Sequence, residues 1–334
     1  MTLKESIAKI SGWSQDSFKV EELDAGGNNK PFKVYKEDIV YFIKKYFRDK
    51  SDPRNRGLTE FNFSQLIWSQ GIRNIPEPFF YDDEENIGIF SFIEGYHPDK
   101  QIDHSLLIQA CTFFDQINSY SQSSGANSLA PASEACFSID SHIQTIKNRL
   151  SRLVQLPTDT EIEIQANQFI KNELLASFQS EVDNLNTNFT GDLQNTILNK
   201  SERCLSPSDF GFHNAKINNE ILYFFDFEYA GWDDPAKTVC DFFYQPKYPV
   251  PTSEINFFTA QIAKSIEIPY EHLIERANIL LPFYKIKWCS IALNDFLPSG
   301  NRRRLFANQV DEQIRKQSQL LKARDILNRD VHIL

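Results

Sequence analysis

The chain has 334 residues, 41% hydrophobic and 24% charged, with 28 phenylalanines, a formal net charge of −10 and a pI near 5.2. This composition excludes global disorder, and the length predicts two lobes around a large core. The acidic balance excludes non-specific nucleic-acid binding, which needs a basic surface, and otherwise reads as solubility.

Cys111, Cys136, Cys204, Cys240 and Cys289 are widely spaced, with no C-x-x-C pair. They read as reduced, buried thiols and lack the paired-ligand spacing of a zinc site. The opening "MTLKESIAKISGW" holds no apolar core of signal-peptide length, and no stretch approaches the roughly 18 apolar residues of a membrane span. The expectation is a cytoplasmic protein with no membrane partner.

In chain order, "SFKVEELDAGGNNKPFKVYKEDIVYFIKKYFRD" comes first. Phe18 and Val20, then Phe32 and Val34, alternate with polar residues as in half-buried strands. Gly26, Gly27, Asn28 and Asn29 between them suit a tight connection, because these residue types tolerate positive φ. A third strand is predicted over Ile39 to Phe47, completing a meander. "TEFNFSQLIWSQGI" predicts a helix stopped by Gly71. "IPEPFFYDDEENIGIFSFIEG" predicts two more strands around an acidic turn. Beyond it, "DHSLLIQACTFFDQINSYS", "SHIQTIKNRLSRLVQL", "QANQFIKNELLASFQSEVDNLN", "YEHLIERANILLPFYKIKWCSIALNDFL" and "VDEQIRKQSQLLKARDIL" carry helical apolar spacing. "SQSSGANSLAPASEA" reads as a loop, and the chain shows no internal repeat or low-complexity tract. The fold class expected is α+β: a strand-rich N-terminal lobe over 1–94 and a mainly helical lobe over 95–334, with the boundary in "EGYHPDK".

One constellation carries chemistry. Phosphoryl transfer from ATP is catalysed by positioning and electrostatics: a carboxylate at the acceptor hydroxyl, oxygen ligands for Mg2+, and a strand lysine with an acidic partner for the phosphates. "DFGFHN" places Asp209 and Asn214 at the D-x-x-x-x-N spacing of a kinase catalytic loop. "YFFDFE" buries Asp226 in an apolar strand followed by Phe227, where a bound cation compensates the charge. Lys44 ends the apolar run of the third strand. Alternation puts Lys44 and Lys45 on opposite faces, so one of them faces the nucleotide, and Lys44 is the candidate. Glu60 on the following helix is its candidate partner, and Gly26-Gly27 stands where a phosphate-covering loop belongs.

These stretches resemble the aminoglycoside phosphotransferase and choline kinase-like family of small-molecule kinases. "GGNNKPFKVYK" is similar to the family's Gly-Gly-x-Asn loop, "YFIKKYF" to its lysine strand and "FSFIEG" to the exit from its inter-lobe hinge. "SDFGFHNAKI" is similar to its catalytic loop, and "FFDFEYAGWDDPAKTVCDF" to its metal-binding segment. The resemblance runs from about Leu23 to Asp241. It implies the protein-kinase-like fold, with a five-stranded antiparallel N-terminal sheet plus a helix. It also implies Asp209 as catalytic base, Asn214 and Asp226 as Mg2+ ligands, Lys44 as the ATP lysine, and the backbone of Ser91 to Ile93 against adenine.

Three positions depart from the family pattern. His-Gly before the catalytic aspartate is Pro207-Ser208, the glycine before Asp234-Pro235 is Asp233, and the aspartate three after Pro235 is Thr238, with Asp241 as a substitute anchor for the loop. The function expected is an ATP- and Mg2+-dependent phosphotransferase acting on a small-molecule hydroxyl. The alternative is a nucleotide-binding pseudokinase or scaffold without turnover, which the Pro207 departure favours. A protein kinase is disfavoured, because "EYAGWDDP" follows Asp226 at once and leaves little room for a peptide platform. Trp232, Tyr244, Tyr284 and Trp288 read as core more readily than as an acceptor pocket. "SGNRRRLF", Ser299 to Phe306, reads as a solvated basic turn rather than a contact to an anionic acceptor.

Overall fold

The computed structural model describes residues 2–331 apart from 25–27, 50–51, 53, 100, 190 and 308–310. The Gly26-Gly27 turn expected to cover phosphates lies outside the described residues. The N-terminal part is an antiparallel sheet of β1 Lys19–Glu22, β2 Lys30–Lys36, β3 Ile39–Lys45, β4 Pro78–Asp82 and β5 Ile87–Ser91, in the order β1-β2-β3-β5-β4. Helix α1, Leu3–Ser11, precedes it and packs beside β4. The helical spacing within α1 is short, but a capping box between Thr2 and Glu5 marks its start. Ile7 of α1 closes a small core with Phe18, Phe32, Val34, Ile43, Ile87 and Ile89.

The predicted helix after the meander is α2, Arg56–Ser69, capped by the Asn55 side chain. Gly71, at φ +89°, lies just past its end, as its position predicted. The chain then leaves the sheet through Gly95, at φ +117°, where an added Cβ would stand 2.2 Å from the Ile217 carbonyl oxygen. This close approach lets Tyr96 and Ile217 exchange backbone hydrogen bonds of 3.2 and 2.8 Å.

The remainder is mostly helical. α3, His104–Asn118, starts at the Asp103 cap. Helices over Ile139–Leu153, Tyr270–Ala292 and Glu312–Asn328 match the predicted stretches. The stretch predicted as one helix over Gln165 to Asn186 is two, Glu161–Phe169 and Leu175–Asn188, joined by a π turn at Ile170–Leu174. The predicted loop after α3 contains one short helical turn, Ser124–Asn127. Short strands β6 Cys204–Ser206 and β9 Gly231–Asp233 pair with each other, and β7 Ala215–Asn218 forms a hairpin with β8 Ile221–Phe224.

Many of the phenylalanines collect beneath these small sheets. Phe113 stacks on Phe224 at 4.5 Å between centroids, Phe210 reaches Phe224 and Phe242, and Phe242 stacks on Phe258 at 4.2 Å. Trp232, Tyr244 and Tyr284 are buried in this core. Among the described residues, no helix is long and apolar enough to cross a membrane.

Candidate active site

β3 sends Ile43 into the small core, so its next residue, Lys44, turns to the opposite face and into a cleft below the sheet. Lys44 Nζ donates to Glu60 Oε2 of α2 at 2.7 Å, and the Tyr46 hydroxyl, two residues on and on the same face, donates to that oxygen at 2.9 Å. Lys44 also bonds Asp226 and lies 3.9 Å from Glu228. Burial alone would lower the Lys44 pKa, but Asp226, Glu60 and Glu228 outweigh it and raise it. Lys45 is half-buried on the other face and is not among the cleft-lining residues.

Asp226 follows β8 in the left-handed region, at φ 69°, a conformation that costs a non-glycine residue about 1–3 kcal/mol. Its carboxyl is pushed up to about 7 by desolvation and by Glu228 and Glu60, against the pull of Lys44. One oxygen each from Glu60, Asp226 and Glu228 lies within 4.8 Å of the others. Glu228 is fully buried, and it was not singled out in the sequence although it stands two residues past Asp226 in "DFE". It accepts from Asn29 at 2.6 Å and Asn28 at 3.3 Å, and Arg56 lies 3.9 Å away. Burial works against its ionisation, but Lys44 and Arg56 hold its pKa down. The two asparagines that follow Gly27 thus tie the start of β2 to the Asp226 segment.

The loop between β6 and β7 carries Asp209. Phe210 and Phe212 sink into the aromatic core and leave Asp209 and His213 facing the cleft. His213 Nε2 lies 3.0 Å from Asp209 Oδ1, and Asn214 Nδ2 donates to the Asp209 carbonyl at 3.0 Å and to Oδ2 at 3.3 Å. Burial would raise the Asp209 carboxyl, but His213 and Asn214 bring it below its ordinary value. The Asn214 carbonyl accepts from Phe225 N–H at 3.0 Å, which sets Asn214 between the Asp209 loop and Asp226. The structure therefore brings Lys44, Glu60, Asp209, Asn214 and Asp226 to one cleft.

The departures from the family pattern meet in space. Ser208, where a glycine was expected, has φ 65°. Its N–H donates to Ser206 Oγ at 3.0 Å, and its hydroxyl accepts from Lys237 Nζ at 3.0 Å. Lys237, on the helix Pro235–Tyr244, pairs with the fully buried Asp233 at 2.5 Å. Thr238 reaches the Ser206 hydroxyl at 3.1 Å. Asp241 accepts from Lys287 at 2.8 Å and Trp288 at 3.0 Å and lies 3.6 Å from Lys237, so among the described residues it reaches the Asp209 loop through that lysine and not directly. The loop is buttressed through Lys237 and Thr238, residues whose role the sequence did not signal.

The cleft encloses about 1500 Å³, beyond the ~300–1,000 Å³ of a single small-molecule site, and so has room for two ligands. Ser91 and Ile93 line one end of it. Ser91 N–H is committed to Glu77, and the Ile93 carbonyl accepts from Lys216 Nζ at 3.2 Å. At the other end, Trp288 and the helix Pro298–Ala307 form the wall; Arg303 and Arg304 of the supposed solvated turn face the cleft. A hard divalent cation fits beside Asn214 and Asp226. Their donors are an amide and a carboxylate oxygen, and the three crowded carboxylates exceed the charge of Lys44 and Arg56.

No protein-family model matches the chain, and no curated protein does. Solved structures share its fold. Spectinomycin phosphotransferase, in complex with ADP and spectinomycin, aligns with a TM-score of 0.64 at 16% identity over 97% of this chain and 96% of that one. Choline kinase from Cryptosporidium parvum aligns at 0.58 and 14% identity over 97% of each chain. Amicoumacin kinase, in complex with AMP-PNP and Ca2+, aligns at 0.54 and 13% identity over 98% of this chain and 94% of that one. At such identities the likeness is one of fold: this chain has the two-lobed, protein-kinase-like fold of these small-molecule kinases.

Proposed function

We propose that the protein transfers the γ-phosphoryl group of ATP to a hydroxyl of a small molecule. The observation that carries this reading is the convergence of Lys44–Glu60, Asp209, Asn214 and Asp226 on one cleft. The acceptor oxygen forms a bond to the γ-phosphorus as the bridging bond to ADP breaks, and the acceptor proton goes to the Asp209 carboxylate. His213 and Asn214 orient that carboxylate and keep it ionised. Glu60 holds Lys44 toward the phosphates. Asn214 and Asp226 would hold Mg2+, which neutralises charge on the phosphates when bound. The Ser91–Ile93 segment receives the base, and the division of labour follows 1–94 for nucleotide and 95–334 for acceptor. A small acceptor is favoured because the helix at Pro235 begins nine residues after Asp226 and leaves no peptide platform between them.

Asp209→Ala is the test. It is expected to abolish phosphoryl transfer while leaving nucleotide affinity within about twofold, because its contact is with the acceptor. Asp226→Ala is expected to weaken Mg2+-nucleotide binding as well. Near-normal turnover in Asp209→Ala would overturn the assignment.

A further inference from the structure

The helix Pro298–Ala307, which walls the acceptor end of the cleft, is fastened to the sheet of the first lobe. Arg302 donates to Asp49 at 3.0 and 3.2 Å. Phe306 packs on Phe47 with ring centroids 5.5 Å apart. Phe47 N–H in turn donates to Asn29 Oδ1 at 3.1 Å, and Asn29 donates to Glu228 at 2.6 Å. The helix is therefore seated on residues that lead directly to Glu228. Arg303, one residue past Arg302, lines the cleft beside them.

A second arginine comes to the same place from the first lobe. Arg56, at the start of α2, is 4% exposed and bonds Asp52 through Nη2. Its Nη1 lies 3.9 Å from one Glu228 oxygen, and Lys44 Nζ lies 3.9 Å from the other. One carboxylate thus separates Arg56 from the lysine that faces the phosphates. Burial lowers the Arg303 pKa, and the charges of Arg56 and Arg304 lower it further against Tyr229 and Glu228, so Arg303 stands within the field of this group.

Arg56 Nη1 and Arg303 Nε are both buried, and neither has a hydrogen-bond partner. Lys247 and Lys322 also line the cleft without an ion pair among the described residues, but neither carries a buried donor without a partner. Two guanidinium groups with unused donors, drawn from opposite lobes into one field, are costly unless an anion joins them. The planar fork of a guanidinium matches phosphoryl oxygens with two parallel bonds. The surroundings select which phosphoryl group. A strand lysine placed as Lys44 is takes the inner phosphates. Arg303 belongs to the wall of the acceptor end. Between the inner phosphates and the acceptor lies the terminal phosphate.

We propose that Arg303 is a catalytic residue of this cleft: together with Arg56 it binds the terminal phosphate of the donor nucleotide. This rests on the phosphotransferase reading for the transfer step but not for the binding step. As the bond from the γ-phosphorus to ADP breaks and the bond to the acceptor oxygen forms, charge spread over the phosphoryl oxygens meets fixed guanidinium donors. The helical lobe then supplies a phosphate ligand that neither the sheet nor the Asp209 loop carries.

The experiment compares binding of ADP and of AMP-PNP, each with Mg2+, to the full chain by calorimetry. Arg303→Ala is expected to weaken AMP-PNP by about tenfold or more, as loss of a charged hydrogen bond implies, and to leave ADP within about twofold. Arg303→Lys keeps the charge without the fork. It is expected to show the same contrast, smaller in size, and it carries the test if Arg303→Ala does not fold. Equal losses for ADP and AMP-PNP, or no loss for either, would overturn the inference. A phosphate borne by the acceptor is the rival source, and glycerol 3-phosphate titrated into the AMP-PNP-saturated protein separates the two. Binding of that probe that Arg303→Ala abolishes, with AMP-PNP affinity unmoved, would also overturn the inference. The readout is binding, so it stands apart from turnover. A chain that shows the contrast but transfers no phosphoryl group keeps the Arg303 site and loses the phosphotransferase reading. A chain that transfers phosphoryl groups without the contrast does the reverse.

Discussion

Lys237 donates to the hydroxyl of Ser208 at 3.0 Å, and through that bond the helix beginning at Pro235 holds the loop that carries Asp209. The same ammonium neutralises the fully buried Asp233 at 2.5 Å. Two departures from the kinase family pattern, serine before Asp209 and aspartate before Asp234-Pro235, are thus partners in one interaction. Ser208 adopts a left-handed conformation in which glycine is unstrained, and its two hydrogen bonds offset that strain.

Lys237→Met removes the only ammonium bonded to Asp233 among the described residues and is expected to cost about 3–5 kcal/mol, as for one broken half of a buried pair. The double variant Lys237→Met/Asp233→Leu is expected to recover most of that stability, because no charge remains buried alone. Turnover is expected to stay depressed in the double variant, because Ser208 is still without its donor. Urea midpoints and kcat measured on the three proteins check both statements.

The pH dependence of stability isolates Asp226. Its pKa of about 7 in the folded chain lies above the roughly 3.9 of an unperturbed aspartate, so the folded state holds a proton that the unfolded state releases. The stability this proton contributes is present at low pH and is lost as pH rises from about 4 through 7. Without nucleotide or metal, Asp226→Asn is expected to flatten that slope and to melt above the wild type at pH 8, with the difference vanishing near pH 4. Adding Mg2+ at pH 8 is expected to raise the melting temperature of the wild type and not of the variant.

His213 sets the proton affinity of Asp209 from 3.0 Å away. His213→Ala removes a group that lowers the Asp209 pKa, so the acidic limb of the kcat/KM profile is expected to move to higher pH. A pH–rate series on the variant reads the shift, and an unmoved limb would assign the control of Asp209 to Asn214.

Gly95→Ala is expected to destabilise the chain by about 2 kcal/mol or more, since alanine is strained at φ +117° and its Cβ would meet the Ile217 carbonyl oxygen. Hydrogen exchange is expected to speed up at Tyr96 and Ile217, whose mutual backbone bonds depend on that approach. Thermal melts and amide exchange rates test it.

Much of this molecule is determined locally. Alternation in "PFKVYK" and "IVYFIKK" makes strands, and with Ile43 committed to the core the pleat alone sends Lys44 to the other face. Periodic spacing located five helical stretches, because amphipathic helices write their buried face at a regular interval. The D-x-x-x-x-N spacing put Asp209 and Asn214 on one loop, and the apolar run before Asp226 marked a strand, β8, but Asp226 itself lies past that strand with its side chain 32% exposed to the cleft rather than buried within it. Other features have no local signature. The helices Pro235–Tyr244 and Ile255–Ser265 were not read; in Pro235–Tyr244 the polar side chains Lys237, Thr238 and Asp241 are buried against polar partners, so its residues do not divide into a core face and a water face. Only the tertiary structure decided that Glu228 joins Asp226 and Glu60, that Lys237, lying between Asp233 and Asp241, bonds the loop, and that Arg303 lines the cleft. Each of these depends on which segments lie opposite one another across distances of many residues. An ionisable side chain has the same identity in solvent, in a pair or in a crowd of like charges, and only its neighbours determine its proton affinity and its use.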